Sequence, residues 1–219
     1  MGTVHSIRKG HAQSAPNIEN RKVASLRGRR KTNKELRPRE YLTPDEVARL
    51  MAAAGKVGRH GHRDAALLLL AYRHALRVSE LVALRWDAVD FKAGQLHVGR
   101  LKNGLPSVHP LRGPELPALR RLQREQQDFH GGTYIFTSER RGGPMTADNV
   151  RKLVARAGEL AGLAFPIHPH MLRHACGFKL ANDGHDTRAI QQYMGHANIQ
   201  HTTRYTELVP TRFKSFWKD

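Results

Sequence analysis

The chain has 219 residues, 39% of them hydrophobic, which is enough for one sizeable domain with or without a tail. Its 37 Lys and Arg against 19 Asp and Glu leave a formal charge of +18, which points to a polyanionic partner, nucleic acid ahead of an anionic membrane surface. The longest apolar run, Ala65 to Tyr72, is eight residues, too short to cross a bilayer, and Cys176 as the single cysteine excludes an intrachain disulfide and suits a reducing cytoplasm.

Residues 1–40 carry eleven Lys or Arg against Glu19, Glu35 and Glu40, with few apolar residues and no sustained period. They read as a basic, disordered arm able to grip DNA by counterion release, ahead of a domain over 41–219. Order begins at Leu42-Thr-Pro-Asp-Glu46, where Thr43 as N-cap, Pro44 at the first helical position and Glu46 form a capping box; Leu50 and Met51 continue the apolar face and Gly55 ends it. A second helix is expected over 62–76, with Leu67, Leu68, Leu70, Ala71 and Ala75 facing a core, and a further turn or two over Val78 to Leu84. Trp86 to Phe91, Gln95 to Gly99 and Ser107 to Leu111 then read as short strands, separated by Lys92-Ala-Gly94 and by Lys102-Asn-Gly104, a hairpin signal. Helices resume over 114–129 (Leu116, Leu119, Leu122 and Phe129 inward), from Thr146 to about Gly162, from His170 to about Asn182, and from Asp186 to Gly195. Phe165 to Pro169 is extended, because proline disfavours helix in the residue before it. The fold class is mainly α with a small three-stranded antiparallel sheet.

Several residues of the last fifty suit chemistry on a phosphodiester. A phenol such as Tyr205 can attack phosphorus and hold it covalently, while cationic groups take up charge on the phosphoryl oxygens. His170 and Arg173, three apart on a helix, emerge on one side. The guanidinium fork of Arg173 can grip two phosphate oxygens, and His170 can take a proton or orient the phosphate. Arg77 follows the apolar helix, stiffened by buried Val78 and Leu81 and oriented by Glu80. Lys102, at the Asn-Gly turn, has the reach of a flexible ammonium. His196 follows Gly195 in a tight turn that would present its imidazole, and Tyr205, in the polar stretch Gln200-His-Thr-Thr-Arg204, is expected to be accessible. Phe213, Phe216 and Trp217 form a stripe that either docks on the chain's own core or is donated to a neighbouring protomer.

The ordered set Arg77, Lys102, His170-x-x-Arg173, His196 and Tyr205 resembles the tyrosine recombinase (phage integrase) family. Ala75-Leu-Arg-Val-Ser-Glu-Leu81 looks like its first arginine motif, and His168-Pro-His-Met-Leu-Arg-His174 and Met194-Gly-His196 look like its second and third boxes. The stretch Ile167 to Phe178 is similar to the short recombinases that invert the fimbrial promoter switch. The resemblance covers about 41 to 217. It implies that Tyr205 attacks the scissile phosphate to give a 3′-phosphotyrosyl link and a free 5′-hydroxyl. Arg77 and Arg173 would bind the non-bridging oxygens, Lys102 would protonate the leaving 5′-oxygen, His170 would assist proton transfer and His196 would hydrogen-bond the phosphate. It further implies no metal or nucleotide cofactor, double-stranded DNA as partner, a homotetramer on paired sites (a monomer when free), and a bacterial, nucleoid-associated setting. Ala75 stands where family members carry glycine, so a tighter helix end is expected.

Three other readings compete. His168, His170 and His174 cluster as zinc ligands would, though Arg173 between them repels a cation. A non-catalytic DNA-binding regulator could keep the fold, and a topoisomerase would use the same residues without exchanging partners.

Overall fold

The computed structural model describes residues 39–100, 104–127, 132–138 and 143–207. The basic stretch 1–38, Lys102, Phe129 and the stripe Phe213, Phe216 and Trp217 lie outside the described residues. The folded unit takes in the last two residues assigned to the arm. Arg39 pairs with Glu46 at 2.5 Å and lies over the rings of Tyr41 and Phe165, and Glu40 stands 2.7 Å from His168.

Helix α1 (Pro44–Ala54) starts as its local chemistry dictates: the Thr43 hydroxyl accepts from the Glu46 amide and the Glu46 carboxylate accepts from the Thr43 amide. Its buried face, Val47, Leu50 and Ala54, packs on α2 (Gly61–Arg73) and α5 (Ala147–Leu160). α2 buries Ala66, Leu67, Leu68, Leu70 and Ala71, consistent with its expected inward face. It stops at Arg73, short of the expected 76, because Ala75 has φ +50, a conformation in which a helix cannot continue. α3 (Val78–Val82) follows directly, and a 3-10 turn over Trp86–Ala88 replaces the first half of the expected first strand.

The sheet is antiparallel, ordered β1 (Val89–Asp90), β2 (Gln95–Val98) and β3 (Ser107–Pro110). The Asp90 carboxylate accepts from the Lys92 and Ala93 amides, both at 2.8 Å, and turns β1 into β2. The β2–β3 ladder closes with Val98 opposite Ser107. The Lys102-Asn-Gly104 signal falls between these two strands, and Lys102 and Asn103 lie outside the described residues.

Helices α4 (Glu115–Gln127) and α6 (Pro169–Asn182) flank α2; α7 (Thr187–Met194) and α8 (Gln200–Thr206) close over α6. Thr146 and Asp186 cap α5 and α7, and Gly195 ends α7 at φ +65, as their sequence spacing suggests. The main core gathers Leu67, Leu70, Leu96, Leu119, Phe136, Met171 and Leu172. A second cluster joins Ala75, Cys176, Ile190, Met194 and Tyr205, and the residues expected to do chemistry lie around it. Among the described residues no helix is long and apolar enough to cross a membrane.

Candidate active site

The site is assembled around one turn, His74 to Glu80, that leaves α2 and enters α3. Its unusual backbone aims the Ala75 carbonyl at two guanidinium groups: Arg173 donates to it through Nη1, and Arg100 through Nη1 at 3.4 Å. Arg173 also donates through Nη2 to the Met194 carbonyl at 2.7 Å, which ties α6 to the end of α7. This arginine is 1% exposed. Burial first, then the charges of Arg77 and Arg100, pull its pKa down to about 10, so it stays cationic at neutral pH.

Glu80 is the counter-ion of the turn. One oxygen accepts from Arg77 Nη1 at 2.8 Å, while the other accepts from the Arg77 amide at 2.9 Å and from Arg100 Nη1 at 3.0 Å. Burial pushes the Glu80 pKa up, but these donors outweigh it and the net direction is down, so the carboxylate stays charged. Arg77 is thus oriented by Glu80 as its spacing predicts.

Arg100 was not singled out by the sequence. Its side chain is completely enclosed and also donates to the Tyr193 carbonyl at 2.6 Å and the His74 carbonyl at 3.3 Å. A Cβ on Gly195 would come within 2.7 Å of Arg100 Nε, so glycine there serves both the left-handed helix end and this arginine. One arginine among 37 basic residues carried no signal of burial. The nearest hint is its place two residues past a strand.

His196 is buried rather than presented by its turn; its Nδ1 stands 2.8 Å from the Thr202 hydroxyl. Burial, then Arg173 and Arg77, lower its pKa to about 3, so the ring is neutral and hydrogen-bonding. His170 occupies the first turn of α6 and keeps an exposed face. Packing of the rest of the ring, followed by Arg173 and His168, lowers its pKa to about 4.

Tyr205 corrects the expectation of an accessible phenol: it is 1% exposed. The polar stretch around it is helical, and α8 turns Thr202, Tyr205 and Thr206 inward. The ring meets Phe178 edge-on at 5.0 Å and lies nearly parallel to His196 at 6.4 Å. It occupies the space left by the missing side chain of Gly177, where a Cβ would come within 2.7 Å of it. Its hydroxyl is 2.8 Å from Nδ1 of His174, a contact the sequence reading missed although it had noted His174 beside His170. Burial raises the Tyr205 pKa, against the pull of Arg204 and Arg173.

Of the six expected residues, Arg77, His170, Arg173, His196 and Tyr205 therefore share one neighbourhood, and Lys102 lies outside the described residues. The histidines do not form a metal cradle. His168 reaches Glu40, His170 meets His174 edge to face at 4.4 Å, and the Arg204 guanidinium stands 2.9 and 3.0 Å from the two nitrogens of His174. Among the described residues no group of three His, Cys, Asp or Glu could hold a metal ion. Cys176 is buried next to the Arg73 carbonyl, and burial pushes its pKa to about 12, so it is an inert thiol.

The phage integrase family model matches residues 40–212. The chain belongs to the phage integrase family. It is 45% identical over 183 residues to the type 1 fimbriae regulatory protein FimE of Escherichia coli (strain K12), covering 82% of this chain and 91% of FimE. It is 38% identical over 153 residues to the tyrosine recombinase XerC of Xylella fastidiosa (strain M23), covering 68% of this chain and 49% of XerC. Among solved structures, XerA recombinase superposes with a TM-score of 0.69 and 26% identity, over 80% of this chain and 63% of the XerA chain. XerH bound to its difH substrate shares the fold at 20% identity, with a TM-score of 0.69, over 80% of this chain and 52% of that one. This family member thus spans nearly all of FimE but about two thirds of the XerA chain. Its mostly helical fold with a three-stranded sheet is that of tyrosine recombinase catalytic domains.

Proposed function

We propose that the chain cleaves and rejoins double-stranded DNA site-specifically, with Tyr205 as nucleophile. In this reading the phenolic oxygen attacks the scissile phosphorus, giving a 3′-phosphotyrosyl link and releasing a 5′-hydroxyl. Arg77 and Arg173 bind the non-bridging oxygens, Lys102 protonates the leaving 5′-oxygen, His170 assists proton transfer and His196 hydrogen-bonds the phosphate. The observation that carries the reading is the packing of Tyr205 among His174, His196 and the arginines anchored at the Ala75 turn. Two cations offset the charge that develops on the phosphoryl oxygens, and the phosphotyrosyl bond keeps the energy of the broken ester for religation. Exchange then engages four copies on two DNA sites in the bacterial cytoplasm, at the nucleoid, and the likeness to the fimbrial-switch type favours inversion as the product.

The test is covalent trapping on a nicked suicide duplex. Wild-type chain is expected to form a protein–DNA adduct, and Tyr205→Phe to form none while retaining affinity for the same duplex. An adduct that survives in Tyr205→Phe assigns the nucleophile elsewhere, and an absent wild-type adduct leaves the non-catalytic regulator.

A further inference from the structure

The hydroxyl of Tyr205 is enclosed, and the ring that meets it belongs to His174 rather than to His170. A buried O–H needs an acceptor. Tyr205 keeps its proton, because burial raises its pKa, so the hydroxyl donates and Nδ1 of His174 accepts. That nitrogen has a lone pair to offer. His174 is held neutral, with its pKa lowered to about 3 by burial, then by His170, Arg204, Arg173 and His168. The groups facing it come from both packed helices: His170, Arg173 and the cap residue His168 from α6, and Arg204 and Tyr205 from α8. Arg204 Nη2 stands 2.9 Å from Nδ1 and 3.0 Å from Nε2; with Nε2 carrying the ring hydrogen, this N–H shares Nδ1 as acceptor with the Tyr205 hydroxyl. His170 lies on the exposed side of the pair, edge to face with His174 at 4.4 Å.

Resting on the reading of Tyr205 as nucleophile, we propose that His174 is a catalytic residue, the first acceptor of the Tyr205 proton. As the phenolic oxygen bonds phosphorus its O–H bond breaks and the proton passes to His174 Nδ1, giving an imidazolium. In the same step the bond from phosphorus to the 5′-oxygen breaks, and that oxygen takes a proton from Lys102. The anionic phosphate that arrives between the arginines supplies the negative charge that makes the imidazolium tolerable there. In the reverse step His174 returns the proton to the departing phenol.

The experiment measures single-turnover cleavage of a nicked suicide duplex by wild type, Tyr205→Phe, His174→Asn and His174→Gln. Asparagine places an amide near the position of Nδ1 that hydrogen-bonds but takes up no proton; glutamine does the same near Nε2. Both variants are expected to bind the duplex as wild type does and to cleave about 100-fold more slowly near neutral pH. The deficit is expected to narrow with each unit of rising pH, because the ionised share of the buried phenol, small below its raised pKa, grows about tenfold per unit and needs no acceptor. A substrate with sulfur in place of the leaving 5′-oxygen, which needs no protonation, is expected to rescue Lys102→Ala and neither His174 variant. Wild-type cleavage rates in His174→Asn overturn the proposal. So does a deficit of one size at every pH, which makes His174 a positioning residue. An adduct absent in wild type, or present in Tyr205→Phe, instead overturns the reading on which the proposal rests.

Discussion

Ala75 is the residue whose conformation is least expected from its identity. At φ +50 it occupies the left-handed region, where glycine is at ease and any side chain costs about 1–2 kcal/mol. The turn needs this conformation so that one carbonyl can accept from Arg173 and Arg100 together. The methyl group recovers part of the cost by being fully buried against Cys176, Met194 and Tyr205. Ala75→Gly exchanges relieved strain for a lost buried methyl, worth about 0.8 kcal/mol, and is expected to change stability by less than about 1 kcal/mol. Ala75→Val has no such offset. A β-branched residue in this region is strained and the pocket is already full, so a loss of about 2–4 kcal/mol is expected. Urea unfolding of the pair checks this; equal midpoints for the two variants would mean that the turn relaxes to a negative φ.

At the scale of elements, α8 is the piece whose docking brings the tyrosine into place, and Gly177 on α6 is what lets it approach. A Cβ there would lie 2.7 to 2.9 Å from three atoms of the Tyr205 ring, and neither helix backbone can give way cheaply. Gly177→Ala is therefore expected to destabilise the chain by about 1–3 kcal/mol and to lower adduct formation more than DNA affinity; unchanged adduct yield would show that α8 is not held by this contact. This helix also marks where legibility in the sequence stopped. The capping box of α1 and the caps of α5 and α7 were readable because the residues that satisfy the helix ends lie within four positions of one another. The stretch Gln200 to Thr206 has no apolar period, since its inner face is Thr202, Tyr205 and Thr206, whose partners His196 and His174 come from other elements. The tyrosine itself was legible and its burial was not. Arg100 was missed for the same reason, because its enclosure depends on Glu80 and on carbonyls at His74, Ala75 and Tyr193. The β2–β3 pairing was legible from the Asn-Gly signal between two β-like runs; the departure of Arg100 from the ladder toward those carbonyls was not.

Over the whole molecule, the surplus of positive charge has a counterpart inside the fold: histidines are kept uncharged among arginines. His109, His174 and His196 are buried, and each has its pKa lowered to about 3, by burial first and then by neighbouring histidines and arginines. His170 shifts the same way but is exposed, so solvent screening discounts its share. Each buried ring binds a proton in the unfolded chain below its ordinary value of 6.5 and refuses it in the folded one until near pH 3. A folded-state pKa below the unfolded value means that a histidine's contribution to stability is whole above about pH 6.5 and is lost as pH falls through the window beneath it. Three such rings acting together give a slope of up to about 4 kcal/mol per pH unit within that window. Glu80 and Glu115, both with lowered pKa values, add a second loss in the same direction below the ordinary carboxylate range. Urea unfolding is therefore expected to show a midpoint that is flat above about pH 7 and falls steeply toward about pH 5, before Glu80 or Glu115 titrates. Replacing His109, the buried histidine of the sheet, with Gln is expected to remove about one proton from that slope. A midpoint that first falls only below about pH 4.5 would mean that these rings are already charged in the folded chain, and with it would go the picture of neutral imidazoles lining a cationic site.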